Sequence, residues 1–320
     1  MDVAVLVLDQ VFDLGLSAVL DTLTTAGELA QLGGGRAQPR PRMVGLRRHV
    51  ATQHGLTVPV TPAQGGARPD VVVVPALGCK VPDTLRAALG RKDVHEAGEL
   101  LRDWSRQGTL LAAACTGTFV LAASGLLDDG PATTTWWLVP LFRQLYPRVD
   151  LDESRMIVEA RGRVTAGAAL AHLDLALWLV RRKSPSLAAQ TARYLMVDAR
   201  PSQAAFAIPD QLAHDDPMVE RFERWARGHL ADFSLAAAAR AAGTSERTLA
   251  RRLHDVLGKS PLGFVQELRV ERAVHLLQSS SADVDSIAAE VGYQSGVTLR
   301  TLLRRKLGRG VRELRRARAR

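Results

Sequence analysis

The sequence predicts an α/β domain with a parallel sheet, followed by an all-α domain carrying two helix-turn-helix units. Three observations predict it. Near-continuous β-branched runs alternate with helical patterns through the first half, a repeat recurs at an offset of 50 residues near the C-terminus, and the positive charge gathers at one end. At 320 residues the chain is about twice a usual domain length, so two domains are the natural reading. Its 47% hydrophobic and 23% charged residues suit a globular protein with a real core.

No uninterrupted apolar run approaches the ~20 residues that cross a bilayer. The opening Met1-Asp2-Val3-Ala4-Val5-Leu6-Val7-Leu8-Asp9 lacks a basic flank and meets acids at once, so it reads as a buried strand and not a signal peptide. Cys79 and Cys115 give neither a disulfide framework nor metal-ligand spacing. The chain is therefore expected in a reducing cytoplasm, with no membrane association, no metal and no cofactor.

Val3–Leu8 is the first strand, and a helical stretch runs on through Leu20 to Leu32, where Gly33-Gly34-Gly35 ends it. Met43–Leu46 and Val71–Val74 are the next strands. Leu100–Gln107 is helical, and Leu110–Ala114 is a strand that enters a helix at Thr116. Such runs, apolar on both faces, argue for a parallel sheet covered on both sides. Met156–Val158 and Arg163–Thr165 read as a hairpin. A helix from Ala168 to about Arg182 follows, with Leu170, Leu173, Leu177 and Val180 at helical spacing. From Val197 to Pro217 prolines and acids break the pattern. The expected division is an α/β domain at 1–197, a linker at 198–213 and a helical domain at 214–320.

In the last part Ser245-Glu246-Arg247-Thr248-Leu249 returns as Ser295-Gly296-Val297-Thr298-Leu299, and Leu253, Leu257 and Gly258 return as Leu303, Leu307 and Gly308. One unit has a clear physical logic. A short small-residue helix (Leu235–Ala241) packs closely and turns at Ala242-Gly243-Thr244. Ser245 then caps a second helix, which buries Leu249, Leu253 and Leu257 and ends at Gly258. The second copy runs through Ser286–Val291, turns at Gly292-Tyr293-Gln294 and restarts at Ser295. Residues 245–320 hold 16 Lys+Arg against 8 Asp+Glu, whereas 1–244 hold 26 against 25. A module so charged is expected to approach a polyanion; a solubilising tail, a structural array or a protein-interaction module are the alternatives.

On Ala236–Gly243, Ser245–Gly258, Ser260-Pro261, Ile287–Gly292 and Leu299–Gly308, residues from about 214 onward resemble the AraC/XylS-type DNA-binding domain. Tyr293 stands where Phe is commoner, and the Pro that often follows Gly310 is absent. The resemblance implies a long helix (about Pro261–Leu277) joining the units, and two recognition helices in successive major-groove segments. It places Arg247, Ala250 and Arg251 on bases in one half of the site and Gly296, Val297, Arg300 and Thr301 in the other. An Arg there suits guanine O6/N7. Arg252, Arg304 and Arg305 are expected on phosphates.

In the first domain, a strand runs into a helix through Ala113-Ala114-Cys115-Thr116-Gly117, the geometry of a nucleophile elbow. At a helix N-terminus Cys115 is expected to be accessible with a lowered pKa; a buried apolar filler is the alternative. The segment through Ala122, with Gly125-Leu126-Leu127, Ala132–Trp136, Thr165-Ala166-Gly167 and Asp174–Leu177, resembles the PfpI-like, class I glutamine-amidotransferase-like superfamily. It is most similar to GlxA-type regulators, which join this flavodoxin-like domain to an AraC-type one. Two positions depart: relatives carry a His where Thr135 stands, and an acid where Gly15 falls, with Asp13 nearby. His172 is a candidate substitute base, or simply a packed residue. Cys79, Thr116 and Thr135 complete the expected neighbourhood of Cys115.

The reading is a ligand-responsive transcriptional regulator. Its partners are double-stranded DNA, an unidentified small-molecule effector, a second copy through the α/β domain, and RNA polymerase. A cysteine-dependent hydrolase or hydratase, or a thiol redox sensor, each fused to a DNA-binding domain, are the alternatives.

Overall fold

Val3–Leu6 (β1) is buried at every position because the sheet is covered on both faces, as its unbroken apolar run requires. The computed structural model describes residues 1–34, 40–63, 66–198, 200, 202–203, 214 and 216–316. The chain divides into two compact units, Met1–Gln203 and Ala204–Arg320.

In chain order the first unit continues with α1 (Asp13–Leu32), β2 (Arg42–Gly45), β3 (His49–Ala51), β4 (Thr57–Pro59), β5 (Thr61–Pro62) and β6 (Val71–Val74). Then come α2 (Pro82–Leu89), α3 (Lys92–Arg106), β7 (Leu110–Ala114), α4 (Gly117–Ala123), β8 (Pro131–Ala132), α5 (Val139–Leu145) and β9 (Asp150–Leu151). The unit ends with β10 (Ile157–Ala160), β11 (Arg163–Ala166), α6 (Ala171–Lys183) and α7 (Pro185–Tyr194). Among the described residues one sheet has the order β10-β11-β7-β6-β1-β2-β5, parallel except for the edge strand β10. Arg161 and Gly162, both at positive φ, form the two-residue turn of the expected β10–β11 hairpin.

Alternation along the strands sorts the core. Val3, Val5, Val71, Val73, Ala112 and Ala114 join Leu16 and Val19 of α1 and Leu175 and Leu179 of α6 in one cluster. α1, α6 and α7 pack together over that face, while α2, α3 and α4 pack together over the other. The switch between the two sets of helices brings the β1–α1, β6–α2 and β7–α4 connections to the C-terminal edge of the central strands. An open parallel sheet offers its binding crevice there.

The second unit is helical: α8 (Pro217–Gly228), α9 (Leu235–Ala241), α10 (Glu246–Leu257), α11 (Pro261–Ser279), α12 (Val284–Glu290), α13 (Gly296–Leu307) and α14 (Val311–Arg316). The two helix-turn-helix units, α9–α10 and α12–α13, stand as the repeat predicts. The Ser245 and Ser295 hydroxyls accept from the N–H groups of Thr248 (3.2 Å) and Thr298 (3.4 Å). Gly258 and Gly308 close the second helices at φ +69° and +68°, left-handed positions that favour glycine. α12 begins earlier than the apolar pattern suggests, because the Asp283 carboxylate caps it by accepting from the N–H groups of Asp285 and Ser286.

Most of the expected 198–213 linker lies outside the described residues. Of those described, Ser202 and Gln203 are bonded into the first unit. No helix among the described residues is long and apolar enough to cross a membrane.

Candidate functional site

β7 ends in a strained turn. Cys115 has φ +55°, a region that non-glycine residues seldom occupy, and only Thr116 separates it from α4. Its N–H donates to the carbonyls of Ala166 (3.0 Å) and Gly167 (2.9 Å). Its carbonyl accepts from the Thr134 hydroxyl (2.8 Å) and the Thr118 N–H (3.2 Å). The Thr116 hydroxyl donates to the Leu77 carbonyl at 2.6 Å. Gly117 is required next, because a Cβ there would overlap the Val74 carbonyl oxygen and stand 2.7 Å from that of Pro75.

The backbone is thus the elbow expected from sequence, but the thiol is not the one expected. Cys115 is only 4% exposed, and burial pushes its pKa up to about 11, against the opposing effect of the Thr116 and Thr135 groups beside the sulfur. The helix end does not acidify the thiol. α4 has seven residues and a weak dipole, and desolvation of a thiolate outweighs it.

His172 does not replace the missing base. It is fully buried, its Nε2 accepting from the Ala76 N–H at 3.0 Å and its Nδ1 donating to the Ala169 carbonyl at 2.6 Å. Both nitrogens are engaged in the neutral ring, and burial lowers its pKa to about 4. His172 instead explains Gly15: a Cβ at that position would stand 2.7 Å from the imidazole Nε2, so the ring fills the space an acidic side chain would need. Asp13 is occupied elsewhere. Its carboxylate accepts from His54 Nδ1 at 2.8 Å, and although burial opposes ionisation, hydrogen bonds from Thr52 and His54 hold its pKa below the usual range. Cys79 donates to the Thr84 carbonyl at 3.5 Å, with its pKa raised by burial. Among the described residues no hydrogen bond joins Asp13, Cys79 or His172 to Cys115. Thr116 and Thr135 do lie beside it.

His172 makes the stability of the fold depend on pH. The unfolded chain takes up its proton near pH 6.5, whereas the folded protein does so only near pH 4. The folded form therefore loses stability as pH falls through this window, by about 3 kcal/mol in all. Urea melts of wild type and His172→Gln between pH 7 and 4 should show a flatter profile for the variant. Parallel profiles would contradict the assignment.

On the helical unit, α10 buries Leu249, Leu253 and Leu257 and leaves Arg247 and Arg251 exposed one turn apart, with Ala250 half-buried between them. α13 buries Leu299, Leu302 and Leu303 and presents Val297, Arg300, Thr301 and Arg304 as one stripe, with Arg305 also exposed. Val297 is 66% exposed, an apolar side chain left facing water. Two of the expected contact residues have other partners within the unit. Gly296 is buried against α12, its N–H donating to the Asp285 carboxylate at 2.7 Å and a Cβ there standing 2.8 Å from the same oxygen, so it faces away from the exposed stripe. The Arg252 guanidinium is bonded through Nε to the Asp216 carboxylate that caps α8, which ties α10 to α8 while the side chain stays about half exposed.

Sequence reasoning also missed Arg269. From α11 it donates to the Leu230 carbonyl at 2.9 and 2.7 Å and lies over the Tyr293 ring, 5.1 Å from its centroid. It thereby braces the turn of the second helix-turn-helix against the loop before the first. Tyr293 was legible as a departure from the commoner Phe, but its partner was not.

Residues 1–182 match the family model described as DJ-1/PfpI, and residues 238–317 match that of a helix-turn-helix domain. The chain is 26% identical over 298 residues to the HTH-type transcriptional regulator GbdR of Pseudomonas aeruginosa, covering 91% of this chain and 77% of that protein. It is 27% identical over 208 residues to the HTH-type transcriptional regulator GlxA of Rhizobium meliloti, covering 63% and 64%. The solved structure of an AraC family transcriptional regulator from Pseudomonas putida shares the fold of the first unit with a TM-score of 0.51. It is 22% identical, and the match covers 61% of this chain and 98% of that one. The chain belongs to the DJ-1/PfpI family, carries an AraC-type helix-turn-helix domain behind that fold, and is a transcriptional regulator of this two-part design.

Proposed function

We propose that this regulator reads a specific DNA sequence with residues 214–320 and is controlled, without turnover, by a small-molecule effector received at the Cys115 edge of residues 1–197. The observation that carries the DNA reading is the difference between two identically capped recognition helices. Arg247 and Arg251 are presented by one, and Val297, Arg300 and Thr301 by the other. Unlike faces read unlike half-sites, with Arg suited to guanine and Val297 to a thymine methyl. Arg304 and Arg305 supply phosphate contacts. The reading extends to a cytoplasmic homodimer assembled through the first unit.

The absence of turnover rests on the thiol. A nucleophile needs a base or acid within reach, and here the imidazole is neutral and engaged while its ring fills the place of the acid. A thiol with a pKa of about 11 is one part in roughly a thousand thiolate at pH 8. Iodoacetamide at that pH is therefore expected to label Cys79 well before Cys115 in the native protein. Equal rates at the two cysteines would return Cys115 to the class of reactive or redox-sensing thiols.

The whole reading is tested by selecting DNA from a random pool with the full chain. Wild type, Cys115→Ser and Cys115→Ala are then compared in a reporter driven by the selected site and in hydrolase and hydratase assays. Altered regulation without turnover is expected. Turnover lost in both variants would make the protein an enzyme, and unchanged regulation in both would remove Cys115 from the effector site.

A further inference from the structure

Gln203 takes part in none of the roles above, yet its side chain is among the most enclosed in the first unit, at 1% exposure. Its Oε1 accepts from the Ala168 N–H at 3.0 Å, and its Nε2 donates to the Thr134 carbonyl at 2.8 Å and to the Thr133 hydroxyl at 3.1 Å. Its own N–H donates to the Ser154 carbonyl at 3.0 Å. The preceding residues are anchored as well. Ser202 donates to the Ser154 carbonyl at 2.7 Å, and Arg200 to the Asp174 carboxylate at 2.6 Å and the Leu170 carbonyl at 3.0 Å. Gly167 lacks a side chain where a Cβ would overlap the Gln203 amide.

Thr134 and Gly167 are the residues that clamp Cys115, the first through its hydroxyl on the Cys115 carbonyl and the second through its carbonyl on the Cys115 N–H. The Gln203 amide bridges these two segments from the far side. Anything that enters at Cys115 and moves either one must lengthen a Gln203 hydrogen bond. A buried primary amide tolerates this poorly, since an unpaired donor or acceptor keeps its desolvation cost while losing its bond. Gln203 is also the residue from which the chain runs on to the DNA-binding unit.

We propose that Gln203 is the coupling residue of this regulator: seated, it ties the exit of the first unit to the Cys115 clamp, and a ligand that spreads the clamp unseats it. The proposal rests on the effector reading of the Cys115 edge. The experiment measures affinity for the selected duplex with the full chain as wild type, Thr134→Val, Gln203→Ala and the double variant. Thr134→Val removes the hydroxyl on Cys115 but keeps the carbonyl that Gln203 uses. It should change the DNA Kd by about fivefold in the wild-type background and by little in Gln203→Ala, as coupling through one residue demands. Gln203→Glu, which keeps the acceptor for Ala168 but sets a carboxylate against the Thr134 carbonyl, should behave as Gln203→Ala. Equal changes in the two backgrounds, nil included, overturn the coupling. If Gln203→Ala lowers stability, amide exchange at Gln203 gives a second readout: Thr134→Val should speed it, and unchanged protection overturns the proposal. The effector reading itself fails separately, through Cys115→Ser and Cys115→Ala in the reporter.

Discussion

Arg251→Ala is expected to weaken binding to the selected duplex by about 1–3 kcal/mol and to relax base preference in one half of the site only. Arg300→Ala should do the same in the other half. Both side chains are exposed on the stripe opposite the buried leucines of their helices, where a guanidinium can reach a base edge. The neighbouring arginines provide internal controls. Arg304→Ala and Arg305→Ala should weaken all sequences alike and reduce the salt dependence of binding by about one counterion each. Arg252→Ala should lower stability and leave base preference unchanged, because its partner is the capping carboxylate of Asp216. Selections with each variant, together with affinities at several salt concentrations, decide among these outcomes. Uniform loss across sequences for Arg251→Ala would make it a phosphate contact.

Gly117→Ala is expected to have the largest effect on the first unit. The added methyl would meet two carbonyl oxygens at the end of β6, and backbone at the centre of a covered sheet cannot move aside as a flexible side chain can. Overpacking of this kind costs about 3 kcal/mol or more, a large share of the stability of a domain this size. The variant should lose the near-ultraviolet circular dichroism of the aromatic cluster formed by buried Phe119 and Phe142 and half-buried Tyr146, and melt early. A melting temperature within about 2 °C of wild type would show that the β6–α4 approach is looser than this geometry. Gly292→Ala makes the parallel case in the helical unit, where a Cβ at φ +84° would stand 2.5 Å from the Leu230 carbonyl oxygen.

Much of this architecture was legible in the residues. The valines of β1 and β6 announced a sheet covered on both sides, and Ser245, Gly258, Ser295 and Gly308 announced two capped helices of equal length. α7 was missed, because it lies beyond the helix whose apolar spacing ends at about Arg182, with only Ser184 between it and α6. The short strands β3, β4, β5, β8 and β9 were missed for another reason. Two or three residues carry no periodicity, and pairing alone defines them.

What the sequence determined by itself was everything set by local chemistry: the periods of strand and helix, the caps, the turns, the strained position of Cys115 and the location of the charge. These depend on neighbours within a few residues, so a string of letters contains them. Tertiary structure decided the electrostatic state of each group, because desolvation depends on residues far away in the chain. Cys115 is acidified by its local helix end on paper and driven the other way by the packing around it. His172 is a candidate base or a packed residue on paper and a neutral spacer in the fold, its ring filling the space left by Gly15 on a different helix. Gln203 is a polar residue in a polar stretch until the fold brings Thr133, Thr134 and Ala168 around its amide.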